Sequence, residues 1–329
     1  MERLDILIIG AGPTGINCGI SAKKANLNFK IIEKGVLVNS LFHFPANMTF
    51  FSTSKLLEIG DIPFISHTDK PTRKEALEYY RRIAHSYKLP IHYYEKVMTM
   101  ERADDDTYTV MTDKGTYLTQ HVIISTGFYD IPVMMNVPGE DLSKVKHYYD
   151  EAHHYIGQKV LVIGAANSAC DVALETWQKG ADVTMAVRGP ALYERVKYWI
   201  LPNIRNRIKE GSIQAHFNTV VKEIKAREVI LYNEKDGEFS IENDFVLAMT
   251  GYSPDYTLLD RLGIKYQNDR LKTPSVDEST LETNLPRVYM AGVMIGGLKT
   301  NKHFIENTRE HGDLIIEQIV NHKESTALT

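Results

Sequence analysis

Leu4-Asp5-Ile6-Leu7-Ile8-Ile9-Gly10-Ala11-Gly12-Pro13-Thr14-Gly15 decides the fold. A short apolar run that ends in Gly-x-Gly-x-x-Gly reads as a buried strand turning sharply into a helix, here through about Ala25. Phe29 to Ile32 then returns as a second strand and ends at Glu33, 23 positions after Gly10. The three glycines differ in what they do. Gly10 makes the tight turn, Gly12 lets backbone approach a pyrophosphate, and Gly15 allows close helix packing. The helix start favours the phosphates electrostatically, and the Glu33 carboxylate suits a ribose hydroxyl.

The unit recurs further along the chain. Lys159 to Ile163 is a buried strand, Gly164-Ala165-Ala166-Asn167-Ser168-Ala169 opens a helix to about Lys179, and Asp182 to Val187 is a strand ending at Arg188. Ala169 is tolerated at the third glycine position, whereas Ala166 sets a methyl where the phosphates come close. Arg188, where the first unit has an acid, suits a 2′-phosphate that Glu33 would repel. The first unit therefore reads as a site for FAD and the second as a site for NADPH. Arg195 and Lys197 are candidates to extend the phosphate clamp, set against the plainer reading of solvated charges.

Two further strand exits match each other, Val122 to Gly127 and Phe245 to Gly251. Val288-Tyr289-Met290-Ala291-Gly292 is a third, followed by a helical stretch from about Asn301 to Asn321 with Thr300 as its N-cap. The expected fold is α/β, with two Rossmann-like domains. The FAD domain spans residues 1–127 and 252–329, and the crossover and NADPH domain, 128–251, is inserted in it.

Composition agrees with this. The 329 residues are 43% hydrophobic and 24% charged, with 38 Lys plus Arg against 42 Asp plus Glu, which excludes disorder and an overall basic field for nucleic acid. No apolar run approaches the length of a membrane span. Cys18 and Cys170 are too few for a disulfide framework and too far apart for a Cys-x-x-Cys pair. Both read as helix residues packed on a sheet, and the expected compartment is the cytoplasm. No His, Asp and Glu cluster has metal-ligand spacing.

Longer, dispersed motifs carry a resemblance that covers essentially the whole chain. They are Phe44-Pro45 with Thr49-Phe50-Phe51-Ser52, Ile59-Gly60-Asp61-Ile62-Pro63-Phe64, Tyr79-Tyr80-Arg81, Ser125-Thr126-Gly127-Phe128-Tyr129, Trp199-Ile200-Leu201-Pro202-Asn203 and Gly251-Tyr252-Ser253-Pro254-Asp255. With these the chain resembles thioredoxin-reductase-like flavoproteins and, among them, the bacillithiol disulfide reductase family. The resemblance implies FAD as prosthetic group, NADPH as hydride donor and a low-molecular-weight thiol disulfide as oxidant.

Three departures qualify it. Thioredoxin reductases proper have a Cys-x-x-Cys pair where this chain has Cys170 alone. Several relatives have a cysteine in the first glycine loop where Thr14 stands, and the last FAD motif, usually Gly-Asp, reads Gly292-Val293.

The residues assigned to FAD are Gly10, Gly12, Pro13, Thr14, Gly15, Glu33, Lys34, Thr126, Gly127, Gly292 and Asn301. Those assigned to NADPH are Gly164, Ala166, Asn167, Ser168, Ala169, Arg188, Arg195, Lys197 and Gly251. No catalytic residue is assigned; His303 reads as a surface or packing residue. Ser52 and Ser54 are candidates to line a disulfide pocket or, equally, to stabilise their loop. A homo-oligomer without membrane or nucleic-acid partners is expected. A ferredoxin or flavodoxin NADP reductase and a non-catalytic redox sensor are the alternative readings.

Overall fold

The computed structural model describes residues 2–103, 105–300 and 302–327. The chain forms two units. One comprises Met1–Phe42, Met48–Ile131 and Tyr252–Thr329, the other His43–Asn47 and Pro132–Gly251. The boundary thus falls after Ile131 rather than after residue 127, and five residues of the first segment belong to the second unit. Two bonds hold them there: Ala46 N–H to the Asp150 carbonyl (2.8 Å) and Asn47 Nδ2 to Glu175 Oε1 (2.7 Å).

In the first unit β1 (Glu2–Ile9) leads through the glycine loop into α1 (Pro13–Lys24), and β2 (Phe29–Ile32) returns parallel to β1, pairing Ile6 with Phe29 through Ile9 with Ile32. The sheet continues with β3 (Ile91–His92), β4 (Val97–Arg102), β5 (Tyr108–Thr112) and β6 (Thr116–Ile124) in the order β3-β2-β1-β6-β5-β4. The Val288–Met290 strand also pairs with β6, in parallel. β6 serves both neighbours because its first half bonds β5 and its second half bonds Val288–Met290.

Side chains alternate across this sheet, as the strand period requires. Ile6, Ile8, Ile31 and Ile123 pack against α1 and the His311–Ala327 helix; Leu7, Ile9, Val122 and Ile124 pack against β4, β5 and the Leu259–Ile264 segment. Burial on both faces explains why β1 reads as a continuous apolar run. Each fully buried Ile contributes about 1.5–3 kcal/mol of transfer free energy.

The second unit has a parallel sheet in which Lys159–Ile163 lies between Asp182–Val187 and Phe245–Ala248, with Gln214–Phe217 and Val145–Lys146 outside. The Asn167–Gln178 helix covers one face through Cys170, Ala173 and Leu174. A three-stranded antiparallel sheet (Val220–Ile224, Glu228–Asn233, Gly237–Glu242) covers the other through Val221, Ile224, Val229 and Leu231.

The helix expected from about 301 to 321 is two helices, Ile305–Thr308 and His311–Ala327. Thr300 lies in a turn and caps neither, and Asn301 falls outside the described residues. The first starts at Ile305 because Asn307 Oδ1 accepts the Phe304 N–H (2.7 Å). The run breaks at Arg309, whose carbonyl accepts a bond from Asn17 Nδ2. Among the described residues no helix is long and apolar enough to cross a membrane.

Candidate cofactor sites

The first glycine loop is built as its residue types require. Gly10 has φ +105°, and a Cβ there would lie 2.7 Å from the Ser125 carbonyl oxygen; a Cβ at Gly15 would lie 2.0 Å from the Gly10 carbonyl oxygen. Neither position admits a larger residue. A Cβ at Gly12 would meet nothing within 4 Å, which leaves the open approach a pyrophosphate needs. Gly12 caps α1 with no side-chain bond to the first-turn N–H groups and no acid in that turn, so no capping side chain competes with an anion for those donors or for the positive helix end. The loop fits FAD. Ser125, part of the Val122 to Gly127 strand exit, closes the turn by sharing its hydroxyl proton between the carbonyls of Ile9 (3.0 Å) and Gly10 (3.1 Å).

Glu33 is buried at the end of β2, accepting from Ala11 N–H on Oε2 and from Gly35 N–H on Oε1, both at 2.8 Å. Burial raises its pKa above the ordinary carboxylate value, against these two bonds, which favour the charged form. The carboxylate pins the glycine loop to the strand end and keeps further lone pairs for a hydroxyl. Lys34 pairs with Asp130 (2.8 Å). Thr126 and Gly127 follow β6 at its exit, Gly127 with φ +74°.

Thr14 and Thr308 are both buried, their hydroxyls 3.2 Å apart. Thr308 donates to the Phe304 carbonyl (2.8 Å), which leaves Thr14 as donor to Thr308. The position that carries a thiol in several relatives is therefore a structural hydroxyl.

In the second unit Gly164 has φ +134°, and a Cβ there would lie 2.6 Å from the Met249 carbonyl oxygen. Ala166 is the N-cap of the Asn167–Gln178 helix, exposed, with no side chain on the first-turn donors. Ala169 is buried. Ser168 is exposed in the same turn, and Gly251 (φ +97°) has open space around it. Tyr193 N–H donates to the Ala165 carbonyl (2.9 Å) and Lys197 N–H to Asn167 Oδ1 (2.8 Å). These bonds moor the segment that carries Arg195 to the glycine loop. Arg188 and Arg195 are exposed, as an anion clamp requires.

Lys197 departs from the expectation drawn from the sequence. Its side chain is buried, and its amine is paired with Asp171 Oδ2 at 2.7 Å. A buried amine needs such a partner, and removing either would leave the other charge stranded. Lys197 holds its own segment together and is not part of the clamp. Ser54 is likewise internal: it is buried and its hydroxyl bonds that of Ser66.

Cys18 and Cys170 are fully buried, and burial pushes both thiols up to about 12. Neither is available as a thiolate. In the native protein at pH 8 a disulfide reagent should therefore label no thiol, and after unfolding it should label two; rapid native labelling would contradict the burial.

A family model described as pyridine nucleotide-disulphide oxidoreductase matches residues 7–292. The chain belongs to that family. It is 40% identical to bacilliredoxin reductase Bdr of Bacillus subtilis over 95% of this chain and 96% of that protein. The solved structure of bacillithiol disulfide reductase Bdr (YpdA) from Staphylococcus aureus superposes with a TM-score of 0.94 at 38% identity, covering 98% of this chain and 100% of that one. A ferredoxin–NADP reductase of Thermus thermophilus is 23% identical over 89% of this chain and 85% of its own length. Within the family the chain is a member of the bacillithiol disulfide reductase group, an NADPH-dependent flavoprotein oxidoreductase with FAD and NADPH as cofactors.

Proposed function

We propose that the enzyme uses NADPH and FAD to reduce a low-molecular-weight thiol disulfide of the bacillithiol type, one NADPH and one proton converting one disulfide to two thiols. The similarity to the Staphylococcus aureus disulfide reductase along the whole chain carries this reading. When bound, FAD supplies the two-electron relay between nicotinamide and disulfide.

The chain's own residues hold and orient. Gly10, Gly12, Pro13, Gly15 and Glu33 bind the ADP half of FAD, with Thr14, Lys34, Thr126, Gly127 and Gly292 around it. Gly164, Ala166, Asn167, Ser168, Ala169 and Gly251 form the NADPH loop, and Arg188 with Arg195 takes the 2′-phosphate. With Cys18 and Cys170 buried and Thr14 bonded to Thr308, no protein thiol stands between flavin and substrate. We assign the enzyme to the cytoplasm, as a homo-oligomer.

An acceptor panel tests the proposal. NADPH consumption should rise on adding bacillithiol disulfide and change little with ionic strength. Activity confined to ferredoxin or flavodoxin and falling steeply with salt would replace it with a protein-acceptor reductase. NADPH binding without turnover on any acceptor would make the chain a sensor.

A further inference from the structure

The turn after the Val288–Met290 strand is held in an unusual way. Ala291 N–H still bonds the sheet, donating to the Ile124 carbonyl at 2.8 Å. Gly292 N–H, the first amide beyond it, donates instead to Nδ1 of His311, at 3.1 Å. A ring nitrogen that accepts carries no proton, so His311 is neutral here with its proton on Nε2. Gly292 has φ +85°, and a Cβ there would lie 3.1 Å from Thr14 Oγ1. The turn is thus pressed onto the first glycine loop while His311 grips it from behind.

The helix that begins at His311 is itself fixed to α1. Ser21 Oγ donates to Asp313 (2.5 Å), and Gly312 approaches so closely that a Cβ would lie 2.8 Å from the Cys18 nitrogen. His311 is therefore a rigid anchor for the turn.

We propose that His311 is a positioning residue for FAD: by accepting the Gly292 N–H it fixes the turn at residues 292–293, where this chain has Val293 in place of an acid, against the glycine loop, and it does so only while unprotonated. This rests on the assignment of that loop to FAD.

Protonation would place N–H against N–H at Gly292, and the bond would be lost. The charged groups around His311 come from two elements besides its own helix. Lys299, Lys302 and His303 share with it a cavity of about 510 Å³, and Asp269 and Glu278 line the same cavity from the facing loop. Asp269 is already engaged by the N–H groups of Leu271 (3.1 Å) and Thr273 (3.2 Å). Burial, with His303 beside it, lowers the His311 pKa to about 4. The unfolded chain takes up this proton near the ordinary value of 6.5. Stability from this group accordingly falls as pH drops from there toward about 4 and levels off below.

The experiment follows FAD release by the recovery of flavin fluorescence between pH 7 and pH 4, with far-ultraviolet circular dichroism reporting unfolding. The parent should release FAD as the pH falls to about 4, ahead of unfolding. His311→Asn, whose Oδ1 takes the place of Nδ1 and does not titrate, should hold FAD as the parent does at pH 7 and lose the acid step. His311→Phe, which leaves the Gly292 N–H without an acceptor, should bind FAD roughly tenfold more weakly at pH 7. Acid release by His311→Asn at the parent's pH, or full affinity in His311→Phe, would overturn the proposal. A parent that binds no FAD would refute the cofactor assignment instead.

Discussion

Gly12→Ala is expected to fold as the parent does and to hold FAD more weakly. The added methyl meets nothing within 4 Å in the protein, and Gly12 has φ −72° and ψ 175°, which alanine adopts freely. Its cost in stability is about 1 kcal/mol or less, that of a poorer N-cap. The methyl instead fills the space through which the pyrophosphate reaches the helix start. Gly15→Ala should behave in the opposite way. Its methyl would lie 2.0 Å from the Gly10 carbonyl oxygen and 2.6 Å from Ser125 Oγ, so the strand-to-helix turn itself must open. Overpacking of this kind costs about 3 kcal/mol and should lower the thermal midpoint by roughly 6–12 °C. Flavin absorbance and thermal melting of the two variants check both outcomes; full flavin content in Gly12→Ala would remove the loop from the cofactor site.

Nucleotide choice should respond as strongly. Arg188→Ala should weaken NADPH roughly tenfold or more and leave NADH nearly unchanged, because a charge-assisted contact to the 2′-phosphate is lost and NADH has no such group. Arg195→Ala should do the same to a smaller extent, and Asp171→Ala should destabilise the Lys197 segment without changing the ratio of the two nucleotides. The ratio of KM values for NADPH and NADH in each variant is the readout. Equal use of both nucleotides by the parent would contradict the assignment.

The strand and helix bounds of both glycine units were legible in the sequence, since local chemistry sets them: an apolar run buried on both faces, glycines that alone tolerate φ +105° and +134°, and a polar residue at the next strand end. What escaped depends on partners far away in the chain. Lys197 reads as a surface charge until Asp171, 26 residues earlier, is found beside its amine. Residues 43–47 read as part of the first domain until the bonds to Asp150 and Glu175 are seen. The stretch from 301 to 321 reads as one helix, and the Asn17 amide, on another helix, donates to the Arg309 carbonyl at the point where it divides. Gly312 was the local signal for that close approach, a glycine inside a helix pressed against the backbone of α1. The antiparallel strands Val97–Arg102, Tyr108–Thr112, Val220–Ile224, Glu228–Asn233 and Gly237–Glu242 passed unmarked because their alternation is shorter and weaker than the parallel core runs.

If reducing equivalents pass to a small disulfide with no protein thiol as intermediate, the buried cysteines are dispensable for the chemistry. The decisive measurement is thiol release by the Cys18→Ser, Cys170→Ser double variant supplied with NADPH and bacillithiol disulfide. The expected result is two thiols for each NADPH consumed, the stoichiometry of a two-electron couple, at a rate within about threefold of the parent, the loss reflecting packing alone. A double variant with normal FAD content that oxidises NADPH yet releases no thiol would show that one of the buried cysteines carries the chemistry.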